Sequence, residues 1–280
     1  MKFTEIAAVV MDMDGVLWRG DEALPGLVEW FEWLREGDFP YALATNNSSK
    51  TQADYVNKLA RMGVADVPEE RIITSSVATA AYLGGRYPAG TRVFVLGMNG
   101  LRVALDGAGF DLAEDADEPP QLVVAGVDFD LTYARLRQAA LYIRNGAEFY
   151  GTNPDRTFPT PEGQVPGAGS ILAALQAATD REPVIIGKPE QPMLEAALEL
   201  LDQPASKVLM IGDRLNTDIA GGQRAGMRTA LVFSGVTTPE LLTASKDVWP
   251  DVAYEGLPDI ISAWAGHDWY REKVKARRGR

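Results

Sequence analysis

Two aspartates separated by one residue follow an apolar run near the start of the chain. Asp12 and Asp14 come directly after "VVM", and extended backbone at this point would put both carboxylates on one side of the chain. Two adjacent carboxylates repel each other, and a bound Mg²⁺, which prefers oxygen ligands, would relieve that repulsion. Asp213 follows another apolar run, "VLMIG", and is a natural third oxygen donor. These residues therefore predict a site for a hard divalent cation.

A second set of polar residues has the chemistry of an anion site. Thr45 ends the run "YALAT", Asn46 follows it, and Lys188 follows the run "VIIG". Thr45 and the amides at the start of the next helix could bind an anion, because helix N-termini carry partial positive charge. Lys188 could hold the same anion by its ammonium group. Together the three residues predict a phosphate site.

Each of these features also has a structural explanation. The sequences "DGV" and "GDR" at strand ends are common in turns, and "TNNSS" is an adequate helix cap. A single lysine such as Lys188 is most often a surface residue. Four polar strand ends in one chain are harder to explain in this way, and they favour chemistry over turns.

The elements that must position these residues alternate along the whole chain. Short apolar runs rich in β-branched residues are followed by amphipathic stretches of helical period, which indicates an α/β fold with mainly parallel strands. In open sheets of this kind, ligands bind beyond the carboxyl ends of the strands. The polar residues that follow the strands are therefore expected at the ligand-binding edge.

Two helices near this edge have recognisable ends. The first is predicted over residues 26–36, with Trp30 on its buried face and Gly37 in the left-handed conformation that ends a helix. The second is predicted to begin near Ser49 and Gln52, which have the spacing of a capping box. Both helices would then pack beside the strands that precede them.

The chain is long enough for two domains. It has 280 residues, and a prior of roughly 150 residues per domain suggests about two. After residue 86 the strand–helix pattern restarts, and this middle part continues to a polar connection at residues 178–183. The middle part is therefore a candidate second domain inserted into the first.

Composition narrows the possible functions. The formal net charge of −12 argues against nucleic acid as the main partner. The chain has no cysteine, which excludes a thiolate nucleophile, and its one histidine, His267, argues against a histidine nucleophile. We find no apolar run of membrane-spanning length and no signal-peptide pattern, and we expect a cytoplasmic protein that does not bind membranes. The basic stretch at residues 266–280 is expected to be a solvated tail.

The order of these motifs resembles a known superfamily. It resembles the four motifs of the haloacid dehalogenase (HAD) superfamily of Mg²⁺-dependent phosphohydrolases, and more narrowly the NagD-like and 4-nitrophenylphosphatase branch. The stretches that carry the resemblance are "MDMDGVLWRGDEALPG", "ATNNSS", "IGKPE" and "IGDRLNTDIAGGQRAGM". The implied fold is a Rossmann-like parallel-sheet core, residues 1–85 and 183–265, with an inserted α/β cap domain, residues 86–182.

The resemblance implies distinct roles for the carboxylates. Asp12 would attack phosphorus to form an aspartyl-phosphate, and Asp14 would protonate the leaving alcohol and then deprotonate the hydrolytic water. Asp12, the backbone carbonyl of Asp14 and Asp213 would hold Mg²⁺. Asp218 would orient Lys188 or a metal-bound water, with helix capping as the plain alternative.

The resemblance also implies which residues bind the substrate. Thr45, Asn46 and Lys188 would bind the transferring phosphoryl oxygens. Asn153 and Asp155 lie in a stretch that resembles the substrate-facing region of the cap, although a turn rich in proline and glycine explains the same sequence equally well. Caps of this type often dimerise, so the resemblance also implies a homodimer formed through the cap.

The expected function is that of a phosphatase. Its substrate would be a small phosphorylated metabolite of the sugar phosphate, nucleotide monophosphate, phosphoglycolate or aryl phosphate type. A phosphomutase and a non-catalytic phosphometabolite-binding regulatory protein are the alternatives on the same scaffold. A dehalogenase is disfavoured, because attack on carbon needs neither Asp14 nor a metal.

Overall fold

The chain forms alternating strands and helices, as the sequence pattern predicts. The computed structural model describes residues 5–113, 118–160 and 162–265, and the predicted basic tail at 266–280, with His267, lies outside this range. Within the described residues, no helix combines the length and the apolar composition needed to cross a membrane.

The strands are mostly short and apolar. They are β1 (Ala8–Met11), β2 (Trp18–Arg19), β3 (Glu22–Ala23), β4 (Tyr41–Thr45), β5 (Ile72–Thr74), β6 (Arg92–Leu96), β7 (Asp111–Leu112), β8 (Leu122–Ala125), β9 (Glu148–Gly151), β10 (Thr157–Thr160), β11 (Gly163–Pro166), β12 (Val184–Ile185), β13 (Val208–Gly212), β14 (Arg228–Val232) and β15 (Val252–Tyr254).

The helices connect these strands. They are α1 (Leu27–Gly37), α2 (Gln52–Arg61), α3 (Ser75–Gly84), α4 (Asn99–Gly107), α5 (Tyr133–Arg144), α6 (Ala168–Thr179), α7 (Gln191–Leu201), α8 (Ala220–Arg224), α9 (Pro239–Ala244) and α10 (Leu257–Ala265). A turn of π-helix, Leu215–Ile219, leads directly into α8.

The chain divides into two compact units. Within the described residues, the first unit comprises residues 5–44, 56–72 and 194–265. The second unit comprises residues 45–55, 73–113, 118–160 and 162–193. Each unit is built on its own parallel sheet.

The sheet of the first unit has the strand order β15-β14-β13-β1-β4-β5. β1 runs parallel to both of its neighbours, β13 and β4, and its residues are fully buried. A strand covered on both faces must be apolar throughout, which explains the uninterrupted run "AVVM". Because Met11 pairs with Ile211, β1 and β13 end at the same edge of this sheet.

Helix α1 packs an aromatic face into the first unit. Trp30 and Trp33 stack with ring centroids 5.3 Å apart, and the ring of Trp264 from α10 lies 5.0 Å from that of Trp33. The predicted burial of Trp30 is therefore confirmed. The predicted helix end is wrong by one residue: Gly37 is the last helical residue, and Asp38 takes the left-handed conformation with φ 50°.

The sheet of the second unit has the strand order β12-β9-β8-β6-β7, and its neighbouring strands pair in parallel. Buried apolar residues of its strands and helices, among them Leu96, Val123 and Leu172, form one core. Val184 and Ile185 pair with β9, so the strand that precedes Lys188 belongs to this sheet. The antiparallel pair β10–β11 completes the unit.

The N-terminus of α2 is capped differently from the prediction. Because α2 begins at Gln52, Ser49 lies before the N-cap position, and its backbone N–H donates to Asn47 Oδ1. Instead, Thr51 and Asp54 cap each other: the Asp54 N–H donates to Thr51 Oγ1, and Asp54 Oδ2 accepts from the Thr51 N–H. The Thr51 backbone and hydroxyl donors lower the pKa of Asp54.

We expect Thr51→Ala to destabilise the chain by about 1 kcal/mol, because it removes the acceptor at the start of α2. Thr51→Ser keeps the hydroxyl and should retain most of the stability. The contribution of Asp54 should be complete above the ordinary aspartate pKa and lost as the pH falls through its lowered value in the folded chain. Chemical denaturation checks these expectations, and equal stability of the alanine and wild-type chains would contradict them.

Candidate active site

Three buried carboxylates lie together in the first unit. Asp12 follows β1, and its backbone N–H donates to the Ile211 carbonyl of β13 at 2.8 Å, which extends the pairing by one residue. Asp213 follows β13 directly. Carboxylate oxygens of Asp12, Asp213 and Asp218 lie within 4.8 Å of one another. The side chains are almost fully buried, with residue exposures of 8%, 1% and 1%.

The π-helical turn after β13 positions Asp218. Its N–H and that of Ile219 both donate to the Arg214 carbonyl at 3.1 Å. This turn returns the Asp218 carboxylate to the strand end, where its Oδ2 accepts from the N–H groups of Asp213 at 3.2 Å and Arg214 at 3.0 Å. Asp218 therefore orders the backbone beside Asp213 as well as adding its own charge to the cluster.

Two glycines leave room for the Asp213 carboxylate. A Cβ at Gly15 would lie 2.5 Å from Asp213 Oδ2, and one at Gly235 would lie 2.0 Å from it. Gly15 also has φ +87°, a conformation that favours glycine. The same oxygen accepts from the Val236 N–H at 2.6 Å. The Asp213 carboxylate is thus enclosed by backbone on two sides and held by a backbone donor.

This carboxylate cluster fits a hard divalent cation. At 4.8 Å, two unit charges repel by about 3.5 kcal/mol at an effective dielectric constant of about 20. Mg²⁺ binds carboxylate oxygens and would offset that repulsion. Oxygen donors alone, in a buried and glycine-enclosed position, match the chemistry of this ion better than that of softer metals.

Asp14 has different surroundings from Asp12. Its carboxylate is half-buried, and Oδ1 accepts from the indole N–H of Trp18 at 2.9 Å. Within the described residues, the carboxylate cluster contains Asp12, Asp213 and Asp218 but not the Asp14 side chain. Asp12 is therefore a member of the carboxylate cluster, whereas the Asp14 carboxyl accepts a hydrogen bond from an indole.

The predicted anion-binding residues lie in the second unit. Asn46 Nδ2 donates to the Lys188 carbonyl at 2.8 Å, and the Asn46 carbonyl accepts from the Ser75 hydroxyl at 2.6 Å. Thr45 Oγ1 accepts from the Asn47 N–H at 3.1 Å. Lys188 is 1% exposed, which excludes the alternative that it is an ordinary surface lysine.

Asn153 and Asp155, the two residues predicted to face the substrate from the cap, both form hydrogen bonds with Asn46. Asn153 is 4% exposed and donates through Nδ2 to the Asn46 carbonyl at 2.6 Å. Asn153 Oδ1 accepts from the Asp155 N–H at 3.1 Å, and Asp155 Oδ2 accepts from Asn46 Nδ2 at 3.1 Å. A Cβ at Gly187 would lie 2.7 Å from Asn46 Oδ1, so the position of Asn46 also depends on the close approach of the Gly187 backbone. A substrate contact by Asn153 or Asp155 remains a prediction.

Comparison with known proteins assigns the chain to a family. Residues 9–111 match the family model of haloacid dehalogenase-like hydrolases, and residues 185–260 match a second model described as HAD-hydrolase-like. The chain is 36% identical over 255 residues to an acid sugar phosphatase from Staphylococcus epidermidis, a match that covers 91% of this chain and 96% of that protein. The chain belongs to the haloacid dehalogenase-like hydrolases. The predicted superfamily is thereby confirmed.

Solved structures confirm the branch and the fold. The 4-nitrophenylphosphatase from Thermotoga maritima matches with a TM-score of 0.87 and 38% identity, over 93% of this chain and 98% of that one. NagD from Escherichia coli K-12 matches with a TM-score of 0.83 and 32% identity, over 94% and 99%. A glycerol phosphate phosphatase from Mycobacterium tuberculosis, solved in complex with magnesium, matches with a TM-score of 0.85 and 30% identity, over 93% of this chain and 78% of that one. The chain is a HAD-type phosphatase with the predicted α/β fold.

Sequence reasoning missed several residues that shape the site of this HAD phosphatase. Trp18 lies four residues after Asp14, in the quoted motif, but its donor role cannot be inferred from that spacing. Gly235 is distant from Asp213 in sequence, and no pattern indicated that the two would touch. Of these three residues, Gly15 is the one that the sequence indicates, because it belongs to the "DGV" turn.

We expect Gly235→Ala to weaken Mg²⁺ binding by about 10- to 100-fold, because the new Cβ would displace the Asp213 carboxylate. Titration calorimetry with MgCl₂ measures this effect without any substrate. The matched control is Gly84→Ala, whose Cβ would meet nothing within 4 Å. Equal Mg²⁺ affinity of the Gly235→Ala and Gly84→Ala chains would contradict this account of Asp213.

Proposed function

We propose that this HAD phosphatase is Mg²⁺-dependent and hydrolyses a small phosphorylated metabolite through an aspartyl-phosphate on Asp12. The observation that carries the proposal is the buried cluster of Asp12, Asp213 and Asp218, with oxygens within 4.8 Å of one another. The similar glycerol phosphate phosphatase was solved in complex with magnesium, which supports the choice of metal.

We propose that the carboxylates of Asp12 and Asp213 and the backbone carbonyl of Asp14 hold the metal, and that Asp218 orders their surroundings. When bound, Mg²⁺ would offset the negative charge of the carboxylates and of the phosphoryl group that approaches them. The backbone donors at Val236 and Arg214 hold Oδ2 of Asp213 and Oδ2 of Asp218, which leaves little for the protein to reorganise during the reaction.

In the first proposed step, a carboxylate oxygen of Asp12 forms a bond to phosphorus and the bond from phosphorus to the leaving oxygen breaks. Asp14 gives its proton to that leaving oxygen, so the product departs as an alcohol. In the second step, water attacks the same phosphorus and gives a proton to Asp14. The bond between Asp12 and phosphorus then breaks, which releases inorganic phosphate and restores both aspartates.

Thr45, Asn46 and Lys188 are proposed to bind the phosphoryl oxygens. The hydrogen bonds from Asn46 to the Lys188 carbonyl and from Ser75 to the Asn46 carbonyl would keep these residues in a fixed arrangement. The Lys188 ammonium is positively charged and buried, and a phosphoryl group is an anion that such a charge binds. Its charge therefore supports its proposed role.

The proposed substrates are small esters of the sugar phosphate, nucleotide monophosphate, phosphoglycolate or aryl phosphate type. The similar proteins act, by their names, on sugar phosphates, 4-nitrophenyl phosphate and glycerol phosphate, which supports this range. Asn153 and Asp155 remain candidates for substrate contact in the cap.

The organisation and the location of the protein are proposals as well. We propose a discontinuous core at residues 1–85 and 183–265 and an inserted cap at 86–182; because Val184 and Ile185 pair with β9, the cap would also include these two residues. We further propose a homodimer formed through the cap, a cytoplasmic location, and no nucleic-acid or membrane partner.

Asp12→Asn should lower kcat for 4-nitrophenyl phosphate roughly thousandfold or more, because an amide oxygen is a poor nucleophile. Excess chelator should abolish wild-type turnover, and added Mg²⁺ should restore it. The matched control is Asp106→Asn, which makes the same substitution at an exposed aspartate. Release of phosphate is measured in a continuous assay.

Two results would contradict the proposed function. One is turnover by Asp12→Asn at the wild-type rate, and the other is undiminished wild-type turnover in excess chelator. A panel of phosphorylated metabolites ranked by kcat/KM would then identify the substrate class of an active wild-type chain.

A further inference from the structure

A short hairpin carries the indole that contacts Asp14. In this hairpin, formed by β2 and β3, Trp18 pairs with Ala23. The Trp18 ring is fully buried, and its Nε1–H donates to Asp14 Oδ1 at 2.9 Å. The Gly15 N–H donates to the Trp18 carbonyl at 2.7 Å, which closes the turn between the two side chains. The hairpin therefore fixes the direction from which Asp14 receives its hydrogen bond.

A buried lysine from α2 holds this hairpin. Lys58 is 6% exposed, and its Nζ lies 4.4 Å from the centroid of the Trp18 ring. The same ammonium donates to the Gly20 carbonyl, at the turn of the hairpin, at 2.7 Å. Asp21 Oδ1 is 3.8 Å away, but the Asp21 side chain is 93% exposed, so this ion pair contributes little.

The contacts of Lys58 are strong because they are desolvated. A cation over the face of an indole is attracted more strongly when both groups are out of water than when they lie on the surface. Burial also obliges the ammonium to keep its hydrogen bond to Gly20. Lys58 therefore constrains both the ring of Trp18 and the turn that follows it.

The hairpin strand that carries Trp18 has a second anchor, at Arg19. The Arg19 guanidinium donates to the Ser234 carbonyl at 2.7 Å, and the Ser234 hydroxyl donates to the Gly15 carbonyl at 2.7 Å. Without the Lys58 ammonium, the hairpin would thus stay attached through Arg19. The Trp18 ring would lose a contact that holds it and would be freer to move. We expect variants at Lys58 to fold.

We propose that Trp18 and Lys58 are positioning residues for the acid step of the proposed phosphatase reaction. The Trp18 N–H occupies Asp14 Oδ1, so Oδ2 is the oxygen that carries the proton to the leaving group, and Lys58 keeps the indole in place for this purpose. The inference rests on the proposed role of Asp14. It adds two residues that would act through the Asp14 carboxyl, Trp18 by its hydrogen bond and Lys58 by its contact with the Trp18 ring.

The leaving group of the substrate distinguishes this role from a general structural one. An alkyl phosphate expels an alkoxide, which needs a proton as the bond to phosphorus breaks. A 4-nitrophenyl phosphate expels a stable phenolate, which needs little help from an acid. Misplacement of the Asp14 proton should therefore slow the alkyl ester much more than the aryl ester, whereas loss of folded protein would slow both equally.

The experiment compares kcat/KM for 4-nitrophenyl phosphate with that for the alkyl phosphate that the wild-type chain hydrolyses best. Because kcat/KM reports the steps up to departure of the leaving group, slow hydrolysis of the aspartyl-phosphate does not mask the effect. Trp18→Phe and Lys58→Met should lower the alkyl value about 10- to 100-fold more than the aryl value. Lys58→Arg, which keeps a cation over the ring, should restore most of the alkyl rate.

Two matched controls accompany these variants. Trp30→Phe also removes a buried indole N–H from the first unit, but its donor contacts Met11 Sδ and not Asp14. Asp21→Asn removes the exposed ion pair of Lys58 and leaves its other contacts. Neither control should change the ratio of the alkyl to the aryl value.

An unchanged ratio in Trp18→Phe and Lys58→Met, with the wild-type chain active on both esters, would overturn this inference alone. A change of the same size in Trp30→Phe would overturn it as well. Absence of wild-type turnover on every ester in the presence of Mg²⁺ would overturn the proposed function and the inference with it.

Discussion

The repulsion among three buried carboxylates is the constraint on which the rest of the first unit depends. Asp12, Asp213 and Asp218 bring their oxygens within 4.8 Å in a position that water barely reaches. Some parts of the surrounding fold enforce the short distances, and others offset the repulsion. The parallel register of β1 and β13 enforces the short distances, and the backbone donors beside Asp213 and Asp218 offset part of the repulsion. A bound cation would offset the remainder.

The same constraint explains why two aspartates only two residues apart can have different roles. Asp12 continues the strand pairing of β1 and stays in the carboxylate cluster. The turn that begins after it brings Trp18 against Asp14, so that the second carboxyl receives a neutral donor. Lys58 lies on the other side of that indole. In the proposed reaction Asp12 is the nucleophile and Asp14 transfers the proton.

Much of the fold and part of the site could be predicted from the sequence. Apolar runs that end in aspartate predict that Asp12 and Asp213 meet at one sheet edge, because parallel neighbouring strands end together. Other features depend on contacts between distant parts of the chain. The fit of Gly235 against Asp213 and the burial of Lys188 follow from packing, which a local pattern does not encode. The contacts from Lys58 to Trp18 and from Trp18 to Asp14 bring together helix α2, the β2–β3 hairpin and the turn after Asp12. The sequence of any one of these elements does not indicate that it meets the other two.

The stability of wild-type and Asp213→Asn chains, with chelator and with saturating Mg²⁺, tests the central claim most directly. If the carboxylate cluster repels itself and binds the cation, the variant should be at least as stable as the wild type in chelator. Mg²⁺ should then stabilise the wild type alone, by about 2.7 kcal/mol at a concentration 100 times its Kd. An equal gain in both chains, or no gain in the wild type, would contradict the account.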